Sequence, residues 1–163
     1  MSERRFDRIA FVQLLTIILV AIVLVPVGSH LASLISKMRL SPEQYMTAQR
    51  AYDSWSLFGV PIIAALVLTL WHSYLVRGNG AALLLSLISF LCLAATQVIF
   101  WVYTFPMNAV TQGWTVMPDQ FEAVRRQWEY SHSVSAVLAF AALITIILSA
   151  LVDARARGAE RGA

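Results

Sequence analysis

The residues with the clearest chemical potential are Arg125, Glu129 and His132. They are separated by four and three positions, a spacing that brings side chains together on one face of a helix. A carboxylate next to an imidazole fixes its tautomer and raises its basicity, which suits a general base. The plainer use of the same residues is a hydrogen bond between helices, the commoner fate of a polar group among apolar ones. Asn108, Trp128 and His30 fall on the same expected side. Gln97, Trp101 and Thr104 recur at i, i+4 and i+7 with Tyr103 between them, and Asn108 continues their face if the helix survives past Pro106.

Glu129-x-x-His132 also matches the one-helix unit of a di-metal carboxylate bundle. Such a site needs a second Glu-x-x-His and further inward carboxylates, and the apolar windows contain no Asp or Glu. The other histidine, His72, is expected at the opposite membrane face, so the three do not form a ligand triad. Neither a metal nor a cofactor is expected. The lone Cys92 lies mid-window and reads as a small buried hydrophobe, which excludes an intrachain disulfide. There is no Gly-rich phosphate loop, Ser-His-Asp order or haem-ligand histidine pair. Ser86, Ser89 and Thr96 suit close helix contact.

The elements that must hold these residues follow from where charge is missing. Of the 163 residues, 59% are hydrophobic and 13% charged, against about a quarter charged in soluble domains. No Asp, Glu, Lys or Arg occurs between Arg8 and Lys37, Asp53 and Arg77, Arg77 and Asp119, or Glu129 and Asp153. Each window exceeds the roughly 20 residues a helix needs to cross a bilayer. The expected spans are about 9–35, 56–76, 81–105 and 130–152, in one integral membrane domain covering 1–163. The first is too long for a signal-peptide core and is expected to be retained. Arg77-Gly78-Asn79-Gly80 predicts an antiparallel hairpin. After Phe105 the run Pro106-Met107-Asn108 through Gly113 predicts a loop.

No hydrophilic stretch is long enough for a separate soluble domain, so any site is built from span ends and loops. In the first outer loop Ser41-Pro42-Glu43-Gln44 predicts a capped helix, with Tyr45, Ala48, Tyr52 and Trp55 on one face. In the second, Pro118-Asp119 precedes Phe121, Val124, Trp128 and His132 on one face, with Glu122 and Arg126 spaced for an ion pair on another. The net charge of +3 sits beside spans, so it implies orientation and not nucleic acid. One side holds Arg4, Arg5, Arg8, Arg77, Arg155, Arg157 and Arg161; the other holds Lys37, Arg39, Arg50, Arg125 and Arg126. The excess places both termini in the cytoplasm of a multi-pass cell-membrane protein.

The segment Thr104-Phe105-Pro106-Met107-Asn108-Ala109, followed by Phe121 through Glu129 and then His132, resembles the four-span membrane family that includes the anthrone oxygenases. There a proline and an asparagine follow the third span, and an Arg-x-x-Trp-like helix start leads to a histidine opening the fourth. The match falls on Pro106, Asn108, Arg125, Trp128 and His132, and Ser135 stands where the family carries an arginine. The resemblance implies an all-α four-helix transmembrane bundle with short interfacial helices in both outer loops. It also implies cofactor-independent oxygenation of a small lipophilic polyphenol, with His132 as base and Asn108 and Arg125 stabilising negative charge. Trp128, Glu129, Trp101, Gln97, Tyr103 and His30 would line the pocket. The alternative is a noncatalytic accessory subunit docking a membrane protein, or a second copy of itself, through the aromatic loops.

Overall fold

The computed structural model describes residues 2–162, with side chains described for 8–160; the side chains of Arg4, Arg5 and Arg161, used above for orientation, lie outside the described residues. Helix α1 spans Ser2–Lys37 and runs through the buried Pro26, whose carbonyl accepts from Ser29 Oγ at 2.8 Å. Helix α2 (Pro42–Gln49) begins at the expected cap. Gln44 N–H donates to Ser41 Oγ at 3.3 Å and Ser41 N–H to Gln44 Oε1 at 3.1 Å, with Pro42 in the first turn.

After α2 the chain does not break. A 3-10 stretch, Arg50–Phe58, carries it directly into α3, Gly59–Leu75. Neither Gly59 nor Pro61 stops the helix, because Gly59 is in the right-handed helical region and Pro61 falls in the first turn of α3, where an N–H is not needed. Asn79 then caps α4 (Gly80–Ile99), its Oδ1 accepting from Ala82 N–H at 3.2 Å, and the Val76–Asn79 turn reverses the chain as expected.

The largest departure from the sequence reading follows Ile99. A π-helical turn, Phe100–Thr104, leads into α5, Phe105–Val110, so the third long helix passes Pro106 instead of ending there. Phe105 N–H bonds Phe100 O, five residues back. The wider turn lets the chain absorb a residue that lacks an N–H and would clash with the preceding carbonyls. Helix α6 spans Phe121–Gly162.

Helix α1 packs on α3 and α6, and α4 packs on α3 and α6, so sequence neighbours are spatial neighbours around a ring. Val20, Val23, Ala65, Leu93, Ala142 and Ile146 form the central core. Small residues bring α4 and α6 close enough for side chains to reach the facing backbone. Ser89 Oγ donates to Ala142 O at 2.9 Å and Ser149 Oγ to Ala82 O at 2.7 Å. Outward, the bundle presents Phe11, Leu14, Val60, Val67, Leu84, Leu91, Val137 and Phe140. Among the described residues, four helices are long and apolar enough to cross a membrane.

Candidate functional site

Polar side chains gather at both ends of the ring. At the end bearing the termini, Gln13 Nε2 donates to Asp153 Oδ2 at 2.9 Å, and Arg157 pairs with Asp153 at 2.6 Å. Nearby, His72 Nδ1 lies 2.9 Å from Ser86 Oγ, which is 2.8 Å from Ser73 Oγ. These bonds tie helices together in pairs, α1 to α6 and α3 to α4. His72 takes no part in the cluster containing the other two histidines.

The opposite, distal end is denser and is built by the tails of α1 and α2 against the start of α6. Lys37 Nζ lies 2.7 Å from Glu129 Oε1, with side chains 6% and 0% exposed. Tyr45 Oη donates to the same oxygen at 2.8 Å. Gln49 Nε2 donates to Tyr45 Oη and approaches Glu129 Oε1 at 3.5 Å. Glu129 Oε2 and Gln49 Oε1 are buried without a partner among the described residues. Lys37 Nζ also lies 3.0 Å from His30 Nδ1. The ammonium thus bridges Glu129 and His30, and among the described residues no group of three His, Cys, Asp or Glu is arranged to hold a metal ion.

Around this pair stand the aromatic rings. His30 packs edge-on against His132 at 4.4 Å, Tyr52 at 4.5 Å and Trp128 at 4.7 Å, and Trp128 lies 4.0 Å from His132. His132 Nδ1 is 3.0 Å from the Trp128 carbonyl. Behind Trp128 a second apolar cluster contains Tyr45, Met46, Trp114, Phe121 and Val124.

The structure gathers His30, Trp128, Glu129 and His132, but not through the bonds that spacing suggested. Glu129 turns from His132 to Lys37 and Tyr45, because a buried carboxylate needs a cation more than it needs a neutral ring. Arg125 turns from Glu129 to Glu122, 2.7 Å away, and to the Leu40 carbonyl at 2.9 Å. Glu122 therefore pairs with Arg125 and not with Arg126, whose Nε reaches only the Glu122 carbonyl.

Asn108 Oδ1 accepts from two indoles, Trp114 Nε1 at 3.1 Å and Trp128 Nε1 at 2.8 Å. It is a clamp on the aromatic wall. Trp101 and Tyr103 stand on the outer surface, 60% and 51% exposed, and Gln97 Nε2 donates to the adjacent Thr96 Oγ1 at 3.1 Å. The π turn explains the separation: its extra residue rotates the downstream stripe, so Thr104 faces inward to Ser131 at 2.7 Å while Trp101 faces out.

Sequence reasoning missed Lys37, Tyr45 and Gln49 as partners of the site. The signal was present for two of these contacts. Lys37 lies seven residues after His30, two turns along the same face, and Gln49 lies four after Tyr45.

Two hollows lie beside the cluster. One, of about 500 Å³, is lined by Leu40, Glu43, Gln44, Thr47 and Ala48. The other, of about 320 Å³, lies between the π turn and α6, lined by Ile99, Tyr103, Gln127, Tyr130, Ser131 and Val134. Neither is lined by His30 or His132; aromatic rings fill the space around those. Compared with known proteins, the chain matches no family model, no curated protein and no solved structure.

Proposed function

We propose that this chain is a multi-pass membrane protein, termini in the cytoplasm, whose outward cluster takes a small, flat, lipophilic molecule and uses His132 as a base on it. Burial of an ion pair, two histidines and several aromatic rings at one end of an apolar bundle supports a functional rather than a purely structural purpose, since ionisable groups there are costly. The observation that carries the reading is the bond from His132 Nδ1 to the Trp128 carbonyl at 3.0 Å. A carbonyl only accepts, so the proton sits on Nδ1 and the neutral ring keeps its lone pair on Nε2.

The family resemblance supplies the substrate class, an anthrone. His132 Nε2 removes a ring-methylene proton, and the carbanion passes one electron to dioxygen. The radical and superoxide join at carbon, the peroxide anion takes back the proton held by His132, and the hydroperoxide loses water to leave the quinone. Anthrone and dioxygen thus give anthraquinone and water. Arg125 and Asn108 serve as scaffold in this reading, because their polar atoms are committed to Leu40, Glu122 and the two indoles. Replacing His132 by alanine and following anthrone oxidation in membranes should reduce turnover to the uncatalysed level. An unchanged rate would remove the base.

A second reading, a noncatalytic subunit that docks another membrane protein, is supported by the filled aromatic wall around His30. It predicts that His132→Ala changes partner retention on affinity purification and leaves no oxidation to lose.

A further inference from the structure

The pairing of Glu122 with Arg125 leaves Arg126 as an exposed cation at the distal end of α6. Both Glu122 oxygens accept from Arg125, and Arg126 keeps one bond, from Nε to the Glu122 carbonyl at 3.3 Å. Among the described residues its guanidinium meets no carboxylate. Tyr130 and Val134 follow at four-residue steps, so the three share one face of α6, and all are exposed. From Arg126 to Val134 the helix rises about 12 Å, less than the roughly 20 Å depth of one leaflet with its headgroups. The face thus runs from cation through phenol to aliphatic, the order of polarity met on passing from a bilayer's phosphates to its chains.

Beside this face lies the hollow of about 320 Å³ between the π turn and α6, walled by Tyr130 and Val134 together with Ile99 and Tyr103. It opens on the outer surface of the bundle, where Tyr103, Tyr130 and Val134 are half exposed. Two polar side chains in its wall are already engaged. Gln127 Nε2 donates to the Tyr103 carbonyl at 3.1 Å, and Ser131 Oγ lies 2.7 Å from Thr104 Oγ1 and 2.8 Å from the Trp128 carbonyl. No charged residue lines the space. Its volume is at the low end of the roughly 300–1,000 Å³ of small-molecule pockets, too small for a whole phospholipid and suited to a length of one acyl chain.

We propose that this stripe is a fixed phospholipid site. The phosphate of a lipid in the distal leaflet sits on the Arg126 guanidinium, and one of its acyl chains lies in the hollow between the π turn and α6. Tyr130, between them, faces the glycerol esters, a depth at which a phenol is at home. The bound chain covers the π turn from the side that α6 leaves open. Charge favours a lipid over a second copy of the chain. Glu43, Asp53, Glu122 and Glu129 at this end already bond Ser41, Arg50, Arg125 and Lys37, so a copy offers Arg126 little beyond Asp119, whereas every phospholipid carries a phosphate. The proposal rests on the bundle lying in a bilayer and is independent of any chemistry at His132.

Native mass spectrometry of the delipidated full-length protein in detergent, titrated with dioleoylphosphatidylglycerol, tests it. The wild type should take up one lipid before any other. Arg126→Gln should weaken that first adduct about fivefold, the effect of one cation at an anionic lipid surface. Val134→Trp, which fills the hollow from its outer side, should weaken it at least as much. Arg50→Gln, an exposed arginine at the same end, should leave it unchanged. Dioleoylglycerol, with the same chains and no phosphate, should bind the wild type no better than phosphatidylglycerol binds Arg126→Gln.

Equal binding by all four proteins would show an unspecific lipid coat and overturn the site, as would equal binding of the two lipids. A dimer whose formation excludes the lipid would assign the stripe to a second copy and overturn it too. Should Arg126→Gln aggregate, Val134→Trp and the comparison of the two lipids on the wild type decide. Retention of each variant in carbonate-washed membranes checks insertion separately, so loss there removes the membrane reading and not merely the lipid site.

Discussion

Lys37 and Glu129 show how much of this fold depends on a single carboxylate oxygen. Taking each charge from water costs several kcal/mol, and the attraction between them offsets this only while both are present. Glu129→Ala or Lys37→Met alone should therefore lower stability by about 3–5 kcal/mol. Lys37→Met with Glu129→Gln should cost much less than the two together. Unfolding in mixed micelles measures all three, and additive losses would show that the groups are not coupled. Asn108 presents the same problem in neutral form. Asn108→Ala leaves two indole N–H groups without an acceptor, at about 1–3 kcal/mol for each buried donor. Asn108→Asp keeps the accepting oxygen and should be milder, a contrast read in the same assay.

At the scale of elements, the turn between α5 and α6 holds the indole of Trp114 in place by an unusual route. Gln112, Gly113 and Trp114 all have positive φ, at 47°, 66° and 65°. L-residues with a side chain lose roughly 1–2 kcal/mol in that region. A Cβ on Gly113 would meet no atom within 4 Å, so Gly113→Ala isolates the conformational cost and should destabilise by about 1 kcal/mol. Gln112→Gly should gain a similar amount, and equal stability for both variants would remove the strain argument.

The four long helices and the Ser41 cap were legible because each rests on local signals: a charge-free window, or a hydroxyl three residues before Gln44. The π turn was not legible. It depends on Pro106 being held inside a helix by Thr104 against Ser131 and by Gln127 Nε2 donating to the Tyr103 carbonyl at 3.1 Å. The membership of the site was half legible. Spacing placed Trp128, Glu129 and His132 on one helix, yet the partner of Glu129 was chosen by a residue on α1, and helical periodicity carries no information about such a tertiary competition.

For the whole molecule, the two polar ends fix what an orientation experiment must show. Loop residue Thr115 and tail residue Gly158 are both exposed and lie at opposite ends of the bundle. In a Cys92→Ala background, Thr115→Cys should react with an impermeant maleimide in intact cells, and Gly158→Cys only after permeabilisation. The reverse pattern would invert the proposed topology. Cys92 itself is partly buried mid-helix, so its replacement should leave the bundle intact.

Lys37 also sets an order of events during synthesis. It closes the first helix, and its carboxylate partner arrives only with the fourth. Until α6 inserts, the ammonium has no internal counter-charge and must stay hydrated at the membrane boundary, which keeps the distal end of α1 from settling into its packed depth. A nascent chain halted before Glu129 therefore lacks the carboxylate that neutralises Lys37 in the finished bundle.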